Sequence, residues 1–300
     1  MRINSNGFML DKNQEMFLKM KELENISKNT LKNYTSLFSK MDKRINQRLD
    51  YENEDHLCDQ VLTYFTAIKD HKPNTYNISV TGANCYFNYL LQRNKIKNNP
   101  LKLLGIKRRK IEFNPRPCST NDLKQLLKVI DVTEYAGLRD YAIILLIADT
   151  GIRPSEAFGL VTNDVDFVNN TVIVRKETSK THKERLLPVS TKVMIYIKAL
   201  LKYNMDSDYV FNTINGNEMT TDRFQRRMKH YSDYSNTKIT PYQLRHYFGT
   251  EYVKSDNCNI LYLQKIMGHS KLEMTRRYIK IDPEDLARNH KLASPIDKLD

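Results

Sequence analysis

Just over a third of the way along the chain, Lys107-Arg108-Arg109-Lys110 is followed four residues on by Asn114-Pro115-Arg116-Pro117. Adjacent cations repel one another, and two closely spaced prolines remove backbone donors and fix φ, so neither a helix interior nor a central strand accommodates the stretch. It predicts an inter-domain linker at the end of a first unit, 1–113, with a second unit at 114–300. Both lengths suit independent domains.

The first unit reads as helical. Leu31, Tyr34, Phe38 and Met41 recur at helical spacing behind capping candidates Ser27, Asn29 and Thr30. Leu57, Val61, Phe65 and Ile68 make a second stripe. A third helix is expected from about Thr75 to a stop at Asn98-Asn99-Pro100. In the second unit Ser119 to Asp122 is a helix-start signal, and Arg139 to Ala148 predicts a buried helix ending at Gly151. Thr171–Val174 and Arg185–Val189 read as two short strands around a polar tip, Ser179-Lys180-Thr181-His182-Lys183. Beyond about Thr191 the chain reads mainly as helix, with a short strand near Tyr209-Val210-Phe211. Asp164 and Asp166 read as loop residues. The expected fold class is mainly α with a small β-sheet in the C-terminal domain.

Charge narrows the partners. Lys and Arg exceed Asp and Glu by 48 to 35, with a pI near 9.4. Residues 1–115 carry twenty cations against twelve acids and 116–300 twenty-eight against twenty-three, so both units are expected to touch a polyanion. The longest apolar run, Tyr141 to Ala148, is far too short to span a bilayer, and the N-terminus lacks a signal-peptide pattern. Cys58, Cys85, Cys118 and Cys258 are scattered and read as reduced thiols. A cytoplasmic protein with no membrane association and no metal site is expected.

The chemistry-bearing residues come in separated clusters. Arg153 follows Gly151, and Glu156 lies three residues on, within reach of a buttressing ion pair if the chain turns helical after Pro154. Arg245 sits in Leu244-Arg245-His246. His269 follows Gly268, and Tyr278 comes nine positions after His269. Each alone has an ordinary structural reading, and the chain has eighteen tyrosines. Together, two guanidinium groups, an imidazole and a late phenol are what metal-free attack on a phosphodiester requires: a nucleophilic oxygen, and cations for the charge building on phosphorus.

These segments, Ala148 to Glu156, Ser179-Lys180-Thr181, Ile239 to His246 and Met267 through Tyr278, resemble the tyrosine recombinase (phage integrase) family. The likeness extends to Asn29-Thr30-Leu31-Lys32-Asn33-Tyr34 and Asn98-Asn99-Pro100 in the first unit. It implies an N-terminal helical core-binding (SAM-like) domain joined to a catalytic domain, and a site-specific recombinase acting on double-stranded DNA without a cofactor. By the same resemblance Arg153 and Arg245 hold the scissile phosphate and Tyr278 forms a 3′-phosphotyrosyl bond. Lys180 protonates the 5′ leaving oxygen, with Lys183 as local competitor, and His269 donates to the phosphate or helps deprotonate the tyrosine. Lys107, Arg108, Arg109, Lys110 and Lys183 are expected DNA contacts.

One departure stands out. The family's histidine three residues before the second arginine is here Tyr242, whose hydroxyl can donate a hydrogen bond but is a poor base at neutral pH. A tail over about 282–300 is expected to dock on a neighbouring protomer, giving a homo-tetramer on two DNA sites. Helix signals beginning by Lys12 to Lys28 favour a compact Xer-like or mobile-element enzyme. A type IB topoisomerase-like activity and a non-catalytic DNA-binding protein on the same scaffold remain as alternatives.

Overall fold

The structure, a computed structural model, describes residues 9–111, 117–203, 207–255 and 258–279, with His290, Ser294 and Ile296 beyond. The expected docking tail therefore lies almost wholly outside the described residues, as do Asn114 to Arg116. The chain divides into two compact units, Met1–Glu112 and Phe113–Asp300.

The first unit holds α1 (Lys12–Leu23), α2 (Lys28–Ile45), α3 (Glu54–Ala67), α4 (Pro73–Gln92) and a single turn, α5 (Pro100–Leu103). Asp11, Ser27 and Asn53 cap the first three helices through their side chains, and Pro73 opens α4 at a position that needs no amide donor. Phe17 is fully buried at the centre. The rings of Tyr34, Phe38, Tyr86 and Tyr89 meet it edge-on at centroid distances of 4.9, 5.9, 5.3 and 5.3 Å, the arrangement aromatic quadrupoles favour.

Two expectations change here. The helix α4 stops at Gln92, and Asn94 takes a left-handed φ of 52°. Asn98-Asn99-Pro100 begins a helix instead of ending one: the Asn99 side chain accepts from the Leu101 amide at 3.0 Å and Pro100 occupies the first turn of α5. The basic run also belongs to the first unit rather than to a free connector. Asn77 on α4 binds the Arg109 backbone in both directions, at 2.8 and 2.9 Å. The Arg109 guanidinium lies 3.8 Å from the Tyr76 ring centroid and donates to the His71 carbonyl. Lys107, Arg108 and Lys110 remain exposed.

The second unit is built on α7 (Tyr135–Thr150), preceded by α6 (Thr120–Lys128) and followed by α8 (Pro154–Phe158). Ala142, Ile143, Ile144, Leu146 and Ile147 of α7 are wholly buried, and Gly151 (φ 63°) ends the helix. A three-stranded antiparallel sheet follows, ordered β1 (Val165–Asp166), β2 (Thr171–Val174), β3 (Arg185–Pro188), with Val172 opposite Leu187. Strand β1 was not expected from the sequence. Asp166 is not a loop residue: it pairs with Thr171, and its carboxylate accepts from the Val168 and Asn169 amides that form the turn. Asp164 lies in a 3-10 turn, where it accepts from the Val161 amide and pairs with Arg175 at 3.1 Å. The strand expected at Tyr209–Phe211 is a single bridge, Val161 to Tyr209.

The remaining described elements are α9 (Thr191–Leu201), α10 (Thr221–Tyr234), α11 (Pro241–Val253), α12 (Ile260–Met267) and α13 (Leu272–Arg276). Helix α7 packs against both α9 and α11. Buried Asp140 ties α7 to α10 by accepting from Arg139 at 2.8 Å, Arg227 at 2.6 Å and Tyr231 at 2.9 Å. No described helix is long and apolar enough to cross a membrane.

Candidate active site

The site is organised around the C-terminal end of α12. A helix leaves its last carbonyls without intrahelical donors and carries partial negative charge there. Here three successive carbonyls each receive a different arginine: Ile266 accepts from Arg185 Nε at 3.0 Å, Met267 from Arg245 Nη2 at 2.8 Å, and Gly268 from Arg153 Nη2 at 2.9 Å. Gly268 is the cap that makes this possible. Its φ is 62°, and an added Cβ would stand 3.0 Å from Arg185 Cζ.

Each arginine comes from a different local structure. Arg153 is the N-cap residue of α8, where Pro154 fixes the first turn. One turn on, Glu156 reaches back to its amide at 3.1 Å and its Nη1 at 2.8 Å. The same carboxylate accepts from Arg185 Nη2 at 2.5 Å. Glu156 is fully buried. Burial works to raise its carboxyl pKa, but Arg185 and then Arg153 outweigh this and hold it below the ordinary 4.5. Arg245, on α11, is 5% exposed and also donates to the Gly151 carbonyl at the end of α7. Burial, and then Arg153, lower its guanidinium to about 10.

His269 follows the α12 cap. Its Nε2 lies 3.0 Å from Arg245 Nη2, and its Nδ1 lies 2.9 Å from Thr275 Oγ1. A guanidinium can only donate, so Nε2 accepts and the neutral ring carries its proton on Nδ1, donated to Thr275. Burial, then Arg245, Arg153, Arg185 and Arg277, lower this imidazole to about 3. Tyr278 lies just past α13, 7% exposed, with its ring stacked parallel to that of His269 at 6.2 Å. Its hydroxyl meets His246 Nδ1 at 2.9 Å. Gly249 makes the space: a Cβ there would come within 2.7 Å of the Tyr278 ring.

Arg153 with Glu156, Arg245, His269 and Tyr278 are therefore brought together from four separate stretches of chain. Lys180 and Lys183 are not drawn into these hydrogen bonds. Lys180 is exposed on a turn closed by the Ser179 carbonyl and the His182 amide, and Lys183 is exposed just after it. Tyr242 is 59% exposed on the first turn of α11. Sequence reasoning missed Arg185, Thr275, Gly249 and His246. Arg185 begins β3 and resembles any strand-edge cation. Its Nη1 is a buried donor without a hydrogen-bond partner among the described residues. His246 stood in the Leu244-Arg245-His246 motif, and only its contact with Tyr278 singles it out.

Taken together, two guanidinium groups share one carboxylate, with a third guanidinium and a buried phenol beside them. The sequence pattern of the phage integrase family matches residues 118–285, more than half of the chain and the whole of this cluster. The chain belongs to the phage integrase family. It is a tyrosine recombinase, an enzyme of site-specific DNA recombination. It is similar to tyrosine recombinase XerA of Pyrococcus furiosus, 27% identical over 95% of both chains. It is also similar to tyrosine recombinase XerC of Bacillus subtilis, 26% identical over 72% of this chain and 73% of the relative. The fold resembles that of the Tn1549 transposon integrase solved in complex with circular intermediate DNA. That likeness has a TM-score of 0.71 at 21% identity and covers 93% of this chain and 98% of the other.

Proposed function

We propose that the chain cuts and rejoins double-stranded DNA by esterifying a strand's 3′-phosphate to Tyr278, with Arg153 and Arg245 holding the non-bridging oxygens. The observation that carries this reading is the charge imbalance at the end of α12: among the described residues, Arg153, Arg185 and Arg245 are balanced there by Glu156 alone. A buried cationic excess is costly until an anion enters, and the pentacoordinate phosphorus of the transition state carries more negative charge than the diester it comes from. On this reading Arg245 exchanges a carbonyl partner for a phosphate oxygen, and each positioned donor contributes roughly 10²–10³-fold. His269 adds a further hydrogen bond to the phosphate once Arg245 has turned to the phosphate, its proton then standing on Nε2 and the Thr275 hydroxyl donating to Nδ1. Lys180, carried on an exposed turn that can enter a groove, protonates the 5′ leaving oxygen. Tyr242 donates a neutral hydrogen bond in place of the family's histidine.

Lys183 and the exposed Lys107, Arg108 and Lys110 fit phosphate-backbone contacts. The reading takes residues 1–113 as the core-binding domain and 114–300 as the catalytic domain. It includes a homo-tetramer joining two DNA sites through the 282–300 tail, a cytoplasmic setting, and a compact Xer-like or mobile-element role. The relatives named XerA and XerC and the integrase solved on DNA support it.

The test is covalent capture on nicked duplexes of randomised sequence, in which the short downstream fragment released with a 5′-hydroxyl diffuses away. Wild-type protein is expected to accumulate a DNA adduct that Tyr278→Phe abolishes. An adduct that survives the substitution, or none at all with wild-type protein, refutes the assignment.

A further inference from the structure

Nucleophilic attack by a phenol requires that its proton leave, and burial sharpens the requirement here. Burial pushes the Tyr278 pKa above the ordinary 10, outweighing the opposing pull of Arg245, Arg277 and Arg153. Two imidazoles stand near. The His269 ring is parallel to the phenol, but its Nε2 accepts from Arg245 and its Nδ1 donates to Thr275. His246, on α11 immediately after Arg245, directs Nδ1 at the Tyr278 hydroxyl from 2.9 Å, within the distance needed for direct proton transfer. Gly249, three residues further along the same helix, leaves the gap that seats the ring in this pose.

We propose that His246 is the proton acceptor for Tyr278 during strand cleavage, and the donor that returns the proton when the strand is rejoined. The inference rests on Tyr278 being the nucleophile. In cleavage the Tyr278 Oη–H bond breaks and its proton passes to His246 Nδ1, while the oxygen's electron pair forms the Oη–P bond. The P–O5′ bond breaks, and the 5′ oxygen takes its proton from a separate donor, the role assigned above to Lys180. Rejoining reverses every transfer, so atoms and charge balance over the cycle.

The surroundings suit this exchange. Burial, then Arg245, hold the His246 imidazole below its ordinary 6.5, leaving it neutral near pH 7. Among the described residues, the facing charged and titratable groups include Arg245 on its own helix and Tyr278 past α13. Beyond the phenol lie His269, Arg153 and Arg277. An imidazolium beside Arg245 is disfavoured unless anionic charge has built up nearby. The proton is thus accepted as negative charge gathers on phosphorus and released readily on reversal.

The experiment uses the full chain and the duplex that wild-type protein captures from the randomised pool, with adduct formation timed under single-turnover conditions across the neutral pH range. His246→Asn retains an acceptor near the Nδ1 position but cannot take a proton. It is expected to slow cleavage by roughly 10²-fold or more, to remove the histidine limb of the pH profile, and to leave DNA binding and the hydrogen-exchange protection of α11 intact. In His246→Ala, added imidazole is expected to restore part of the rate. A duplex whose 5′ bridging oxygen is replaced by sulfur, a leaving group that needs no proton, is expected to rescue Lys180→Ala but not His246→Asn. Wild-type rates and pH dependence in His246→Asn, with adduct still formed by wild-type protein, overturn the inference alone. Rescue of His246→Asn by the sulfur substrate overturns it by moving the histidine to the leaving-group side. Failure of wild-type protein to form any adduct removes the Tyr278 assignment and this inference with it.

Discussion

Replacing Glu156 by glutamine separates the charge of this residue from its shape. The carboxylate is fully buried and neutralises two guanidinium groups at 2.8 and 2.5 Å, whose own side chains are only 12% and 9% exposed. Removing one partner from a buried pair typically costs about 3–5 kcal/mol, because the other charge is left buried and unpaired. The two pairs share one carboxylate, so their costs do not add. Glutamine still fills the volume and offers one acceptor oxygen, which places the expected loss near the lower bound, about 3 kcal/mol. With a urea slope of roughly 2–3 kcal/mol per M, the midpoint falls by about 1–1.5 M. Hydrogen exchange on α7 and α11 peptides during urea titration reads the second unit by itself. The pH dependence gives an independent sign. A carboxyl held below its ordinary 4.5 contributes stability that is fully present above that value and lost as pH falls through the folded-state value. The gap between wild type and Glu156→Gln is therefore wide at neutral pH and closes in acid. A variant that unfolds at the wild-type urea midpoint, or a gap that persists unchanged into acid, refutes the electrostatic account.

Two further expectations concern a close approach and a second carboxylate. Gly249→Ala puts a methyl group where the Tyr278 ring now packs at 2.7 Å. It is expected to reduce adduct formation by about tenfold or more through loss of a near-attack geometry, with DNA binding unchanged, and a wild-type cleavage rate rules out this seat for the tyrosine. In the first unit, burial raises the Asp42 pKa from 3.8 to about 6, against the pull of Arg48. An acid raised on folding weakens the fold as pH climbs from 3.8 through 6. Asp42→Asn is accordingly expected to raise the melting temperature at pH 8, by at most about 3 kcal/mol of stability, with no gain near pH 4. Equal melting at both pH values contradicts it.

Much of the architecture was legible because it is local. The Ser27 cap and the Leu31, Tyr34, Phe38, Met41 spacing locate α2, and the apolar run closed by Gly151 locates α7. The errors came where one residue type serves opposite roles. Asn-Pro punctuation both ends and begins helices, and the chain uses Asn99-Pro100 for the second purpose. A row of cations reads as an open connector until Asn77 and Tyr76 are seen to bind Arg109.

The sequence by itself singled out candidate residues for the chemistry, because Thr-Gly-Ile-Arg-Pro, Leu-Arg-His, Gly-His and the late tyrosine are short patterns whose members lie within a turn or two of one another. The tertiary structure alone decided which of them meet. Arg153 reaches Gly268 across 115 residues, and Arg245 reaches His269 across 24. Such contacts commit the His269 nitrogens and bring His246 against the tyrosine oxygen. The reason is physical: an imidazole's tautomer and basicity are fixed by the atoms folded against it, and no periodicity along the chain encodes which atoms those are.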